Sequence, residues 1–201
     1  MSGFQKFSLV LLSIATAGVF LLVGWLTFGD EISSTFAESA SDPATTSDEN
    51  TIWAVGDSLM VGAQGDLEAE SPGIVIDAEV GRRIDQGIDV LSAMLQKGEP
   101  DVLVVALGTN NGVTADQLDE VMDLASGVNK VVFVNVTVPR PWERPTNVAI
   151  SSAVGDYPNA ELVDWNSASR DDSGLFRSDG VHLSQQGTQL WVALIMSEAT
   201  R

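Results

Sequence analysis

The sequence contains no cysteine and only one histidine, His182. The first absence removes disulfides, thiolate nucleophiles and cysteine-based zinc or iron–sulfur sites together. The second leaves imidazole chemistry one place to occur and restricts any metal site almost wholly to oxygen ligands. Basic residues are scarce as well. Ten Lys and Arg stand against 28 Asp and Glu, a formal net charge of −18. A surface of that sign repels phosphate backbones, which argues against a nucleic-acid partner. The acidic residues are spread along the chain, a pattern of general solubility rather than of a binding tail.

Charge is missing altogether from Phe7 to Gly29, a run made mostly of Leu, Val, Ile, Ala and Phe. About 20 apolar residues cross a bilayer as a helix, whereas a secretory signal peptide carries a shorter apolar core of about 7–15 residues. Residues 1–29 are therefore expected to form a short cytoplasmic stub and a single transmembrane anchor. Lys6 precedes the run, and Asp30 and Glu31 follow it. The positive-inside rule then places the rest of the chain on the extracytoplasmic side of the cytoplasmic membrane. A cleaved signal peptide, cut near Ala37 or Ala40, exports the chain equally and makes it secreted. Residues 30–50, rich in Ser, Thr, Asp and Ala, have too little apolar surface to order themselves and are expected to be a flexible spacer.

Residues 51–201 are long enough for one domain with its own core. Short β-rich runs alternate there with amphipathic stretches. Strands are expected at Ile52–Val55, Ile74–Ala78, Val102–Leu107, Val131–Val136 and Glu161–Asp164. Two of them, Val102–Leu107 and Val131–Val136, are apolar almost throughout, as parallel strands covered on both faces should be. Ile84–Leu95 and Leu118–Leu124 show helical spacing. A last helix is expected over about Ser184–Ala199, with Leu190, Leu194 and Ile195 facing inward. The alternation predicts a three-layer α/β/α sandwich around a five-stranded parallel sheet. In such sheets the active site lies beyond the carboxyl ends of the strands, near the switch in strand order.

The chemically suggestive residues fall there. Ser58 follows the first strand in Gly56-Asp57-Ser58-Leu59, where a serine hydroxyl projects into the crevice beside its own N–H. By itself the tripeptide is also an ordinary helix-capping turn. His182 lies in Asp179-Gly180-Val181-His182, before the last helix. Imidazole can activate a serine hydroxyl, and Asp179 is near enough in sequence to fix the tautomer of the ring. A lone histidine at a helix start is otherwise a common surface residue. Asn110, in Gly108-Thr109-Asn110-Asn111, offers a side-chain amide to a developing oxyanion, or simply makes an Asn-rich turn. Gly81, after the second strand, offers a backbone N–H or is a plain loop glycine. Residues 139–147 hold three prolines together with Arg140 and Trp142. They suit either contact with a glycan and its carboxylates or a rigid crossover.

Taken in order, Gly56-Asp57-Ser58, Gly81, Gly108-x-Asn110 and Asp179-x-x-His182 resemble the four blocks of the SGNH (GDSL) hydrolases, over nearly all of residues 51–201. The resemblance implies Ser58 as nucleophile, His182 as base and Asp179 as its orienting acid. It also implies an oxyanion hole built from Ser58, Gly81 and Asn110, a flavodoxin-like fold and no cofactor. Asp77-Ala78-Glu79-Val80-Gly81-Arg82, Ala106-Leu107-Gly108-Thr109-Asn110 and Val138-Pro139-Arg140-Pro141-Trp142-Glu143 more closely resemble the extracytoplasmic SGNH domain of peptidoglycan O-acetyltransferases. Asp164-Trp165 and Asp179-Gly180-Val181-His182-Leu183 fit the same pattern. On that likeness Arg82, Arg140 and Trp142 are candidate substrate contacts. The expected partners are an acyl donor, a carbohydrate or other hydroxyl acceptor, and a separate polytopic membrane acyltransferase. Transfer of an acetyl group and simple ester hydrolysis both remain open. So do a lipolytic esterase or thioesterase and a silent binding module.

Overall fold

The computed structural model describes residues 50–201. The expected transmembrane segment and nearly all of the expected spacer fall outside the described residues. Among the described residues no helix is long and apolar enough to cross a membrane.

Five strands form one sheet: β1 (Ile52–Gly56), β2 (Val75–Ala78), β3 (Val102–Ala106), β4 (Lys130–Val134) and β5 (Ala160–Val163). All neighbours pair in parallel, in the order β2-β1-β3-β4-β5. Successive side chains of a strand point to opposite faces, and here both faces are covered. Ile52, Ala54, Val102, Val104, Val132 and Val134 enter one core. Their neighbours Val55, Leu103, Val105, Val131 and Phe133 enter the other. Burial on both sides explains why β3 and β4 are continuous apolar runs rather than alternating ones.

Helices α1 (Ser58–Glu70), α5 (Trp165–Ser169) and α6 (Gln185–Ala199) cover the first face. Helices α2 (Ile84–Leu95), α3 (Ala115–Leu124) and α4 (Glu143–Asp156) cover the second. Trp165 and Trp191 are fully buried in the first core, where Trp165 meets Phe176 edge-on at a centroid distance of 5.8 Å. The expected inward face of α6 is rotated. Trp191, Val192 and Ile195 are its buried centre, while Leu190 and Leu194 are half-buried at its flank.

Several expected boundaries move for local reasons. The expected strand 131–136 stops at Val134: Asn135 N still donates to Val163 O at 3.2 Å, but the Val136 backbone is taken by the Asn147 side chain, which accepts from Val136 N at 2.9 Å and donates to Val136 O at 2.8 Å. Asp164, expected at the end of β5, leaves the sheet and caps α5 by accepting from Ser167 N. The proline-rich run 139–147 is a loop only as far as Trp142. From Glu143 onward it is the start of α4, with Pro145 in the first turn, where its missing N–H costs no helical bond.

The order of the sheet reverses between β1 and β3. That reversal opens a crevice beyond their carboxyl ends, directly where Ser58 and Asn110 emerge.

Candidate active site

Ser58 is the first residue of α1, one position after the Asp57 cap, whose Oδ1 accepts from Leu59 N at 3.0 Å. The turn into α1 is too tight for a side chain at Gly56. A Cβ there would lie 2.5 Å from Met60 Cβ and 2.6 Å from its sulfur. The absence of that side chain lets α1 start hard against the end of β1 and lifts the Ser58 hydroxyl into the crevice.

The other partner comes from far along the chain. Between η1 (Ser173–Leu175), a short 3₁₀ helix, and α6, the segment Phe176–Leu183 folds back on itself through a single antiparallel bridge. Arg177 N donates to His182 O at 2.7 Å, and Arg177 Nε donates to Leu183 O at 3.0 Å. Gly180, with φ +69°, makes the left-handed turn. Within this turn Asp179 Oδ1 accepts from the backbone N–H groups of Val181 and His182, each at 2.9 Å. Its Oδ2 lies 2.8 Å from His182 Nδ1. A carboxylate there requires a proton on Nδ1, which leaves Nε2 as the acceptor. His182 Nε2 is 3.1 Å from Ser58 Oγ. The hydrogen bonds from the ring and the two backbone amides hold the Asp179 carboxyl well below the usual carboxylate range.

Gly81 has φ +81°, a left-handed conformation that favours glycine and shapes the loop after β2. Asn110 follows β3, and its Nδ2 donates to Arg82 O at 3.2 Å and lies 3.5 Å from Asp57 Oδ2. The amide is thus held between the loop after β2 and the residue before Ser58. Trp142 Nε1 donates to Thr109 O at 3.2 Å, so the loop before α4 braces the loop after β3.

These residues share one open cleft of about 410 Å³. Its walls include Ser58, Gly81, Asn110, Asp179 and His182 together with Arg140 and Trp142. Of the three expected substrate contacts, Arg140 and Trp142 face the cleft, but Arg82 does not. Its guanidinium is 4% exposed and bonds Asp77 beneath the loop, and the next residue, Arg83, lines the cleft instead. An adjacent arginine pair does not reveal in the sequence which member turns inward. Asp57 is a second feature that the sequence shows only as a cap. It is buried, and removal from water pushes its carboxyl up to about 6 against the hydrogen bonds from Leu59 and Thr109.

No family model matches the chain. Over 161 residues it is 35% identical to the peptidoglycan O-acetyltransferase OatA of Listeria monocytogenes, covering 80% of this chain and 25% of that protein. The chain therefore spans about a quarter of the length of the curated relatives it matches. The fold is similar to that of the C-terminal catalytic domain of OatA from Streptococcus pneumoniae, solved with a methylsulfonyl adduct. The TM-score is 0.66 at 19% identity, covering 74% of this chain and 91% of that one. It is also similar to a lipolytic G-D-S-L protein of Veillonella parvula, with a TM-score of 0.63 at 17% identity, covering 76% and 100%. The four ordered blocks and the parallel five-stranded sheet agree with these likenesses: the chain is related in sequence to peptidoglycan O-acetyltransferases and shares the fold of the G-D-S-L proteins.

Proposed function

We propose that the chain is a serine acyl-ester enzyme that moves O-acetyl groups on cell-wall carbohydrate through an acetyl-Ser58 intermediate. The contact that carries this reading is the 3.1 Å approach of His182 Nε2 to Ser58 Oγ, in a ring whose other nitrogen is fixed by Asp179. His182 takes the Ser58 proton as the hydroxyl oxygen attacks the ester carbonyl. Asp179 stabilises the imidazolium that results. The N–H groups of Ser58 and Gly81 and the Asn110 amide receive the charge that develops on the carbonyl oxygen. Collapse passes the proton from His182 to the leaving oxygen and leaves acetyl-Ser58. A second hydroxyl, deprotonated by the same ring, then takes the acetyl group.

The relatives named as peptidoglycan O-acetyltransferases support a glycan hydroxyl as that acceptor. Arg140 and Trp142, which line the cleft, offer a cation and an aromatic surface to it. The uncharged run from Phe7 to Gly29 supports a domain held on the outer side of the cytoplasmic membrane. There a polytopic membrane acyltransferase would supply the acetyl group.

The test incubates the purified protein with an aryl acetate, with and without glycan fragments, and follows products and enzyme by mass spectrometry. Acetylated glycan and a transient 42 Da adduct on the Ser58 peptide, about one acetyl group, are expected. Release of acetate alone in the presence of glycan would convert the reading to an esterase. Ser58→Ala must remove both adduct and turnover, and retained turnover would eliminate the nucleophile.

A further inference from the structure

Arg82 lies at the junction of all three segments that offer oxyanion donors. Its Nη1 donates to Asp77 O at 2.6 Å and to Gly56 O at 3.3 Å, bridging the ends of β2 and β1. Gly56 is two residues before Ser58. Its Nη2 donates to Asp77 Oδ1 at 2.6 Å, with Glu79 Oε2 at 3.5 Å. The Arg82 backbone N–H closes the turn onto Glu79 O at 3.2 Å, with Gly81 inside that turn. The Arg82 carbonyl accepts the Asn110 amide at 3.2 Å.

The strand before this loop is the edge of the sheet, and its pairing ends at Gly56↔Ala78. Beyond that pair, Glu79 N still bonds Gly56 O at 3.2 Å. The next tie to β1 is the guanidinium. A buried cation is costly unless it is well paired; here the two terminal nitrogens bond two backbone carbonyls and a carboxylate, while Nε makes no bond. A planar guanidinium can reach these groups together, whereas an ammonium presents a single nitrogen.

We propose that Arg82 is a positioning residue for the oxyanion hole. It makes no contact with substrate, but it sets the distances among the Ser58 N–H, the Gly81 N–H and the Asn110 amide. The proposal rests on the acyl-serine reading above. Donors act on an oxyanion within a narrow range of about 2.7–3.1 Å. A loop displaced by a fraction of that distance therefore loses transition-state stabilisation while ground-state binding is kept.

The test compares the purified full chain with Arg82→Lys, Arg82→Met, Asn110→Ala and Arg82→Lys/Asn110→Ala on an aryl acetate, with Tm measured for each. Arg82→Lys keeps the charge beside Asp77 and so guards against loss of the fold, whatever becomes of Arg82→Met. For Arg82→Lys, kcat should fall about 10- to 10²-fold, with KM within about twofold of the parent. Asn110→Ala should fall about 10²- to 10³-fold. The double variant should lie within about threefold of Asn110→Ala alone, because both changes damage one device. Parental kcat in a folded Arg82→Lys would overturn the proposal, as would a rise in KM alone or a double variant whose losses multiply. An unchanged kcat in Asn110→Ala would instead sink the oxyanion assignment itself, and Arg82's role with it.

Discussion

Two carboxyls flank Ser58 and His182, and their surroundings push them in opposite directions. Asp179 is about half exposed, yet the His182 ring and two backbone amides hold its carboxyl below the usual range. The stability it adds is present above the ordinary carboxylate range and is lost only in strong acid, as pH falls through the depressed value. Asp57 behaves the other way. Burial raises its carboxyl from 3.8 to about 6 in the folded protein. Well below pH 3.8 it is protonated in both states and contributes nothing. As pH rises from 4 to 6 the unfolded chain releases its proton first, so stability falls, by a total of about 3 kcal/mol above pH 6. Urea unfolding should show Asp57→Asn gaining on the parent by up to that amount, about 3 kcal/mol, between pH 4 and pH 8. A constant difference between the two proteins would show that Asp57 titrates normally.

At the level of elements, glycines mark where helices are pressed against the rest of the fold and where they are not. A Cβ on Gly187, in the first turn of α6, would run into the backbone carbonyl of Leu175, which also accepts Ser184 N at 2.9 Å. Backbone cannot swing aside as a side chain can. Gly187→Ala should therefore destabilise by about 1–3 kcal/mol and also lower kcat, because the start of α6 carries the His182 turn. Gly65, on the outer side of α1, has nothing within 4 Å of a built Cβ. Gly65→Ala should stabilise by about 0.5–1 kcal/mol without altering the rate; urea unfolding checks both. The same elements divide into those legible in the sequence and those not. Apolar runs such as Val102–Ala106 announce buried parallel strands because burial on both faces leaves no room for polar residues. Helix α4 is hidden because its first turn contains Pro145 and its buried positions are few, Thr146, Ile150 and Ala153. Where chemistry dictates residue type, the sequence marked residues that the fold gathers along one cleft, Ser58, Asp179, His182 and Asn110. The site was not legible where packing decides, as in the choice of Arg82 over Arg83 for the interior.

Over the whole molecule, the net charge of −18 is a field of one sign that opposes compaction. The ion pairs among the described residues are few, and most lie at the surface, where each contributes little. Screening should therefore relieve more repulsion than attraction. Raising NaCl from about 0.02 to 0.5 M shortens the Debye length from roughly 20 Å to about 4 Å. The Tm should rise by about 2–5 °C, followed by tryptophan fluorescence, and a fall would mean that attractive pairs dominate. The parallel sheet has a further result. Every strand enters at one pole of the domain and leaves at the other. Ser58, Gly81 and Asn110 all follow strand exits, while Asn50 and Thr51 lie at the entry pole, in one groove with Thr200 from the end of α6. The described chain thus has its two ends together on the side opposite its chemistry, about 17 Å of strand away. Either end of the described chain can therefore be lengthened or fused without crowding the cleft.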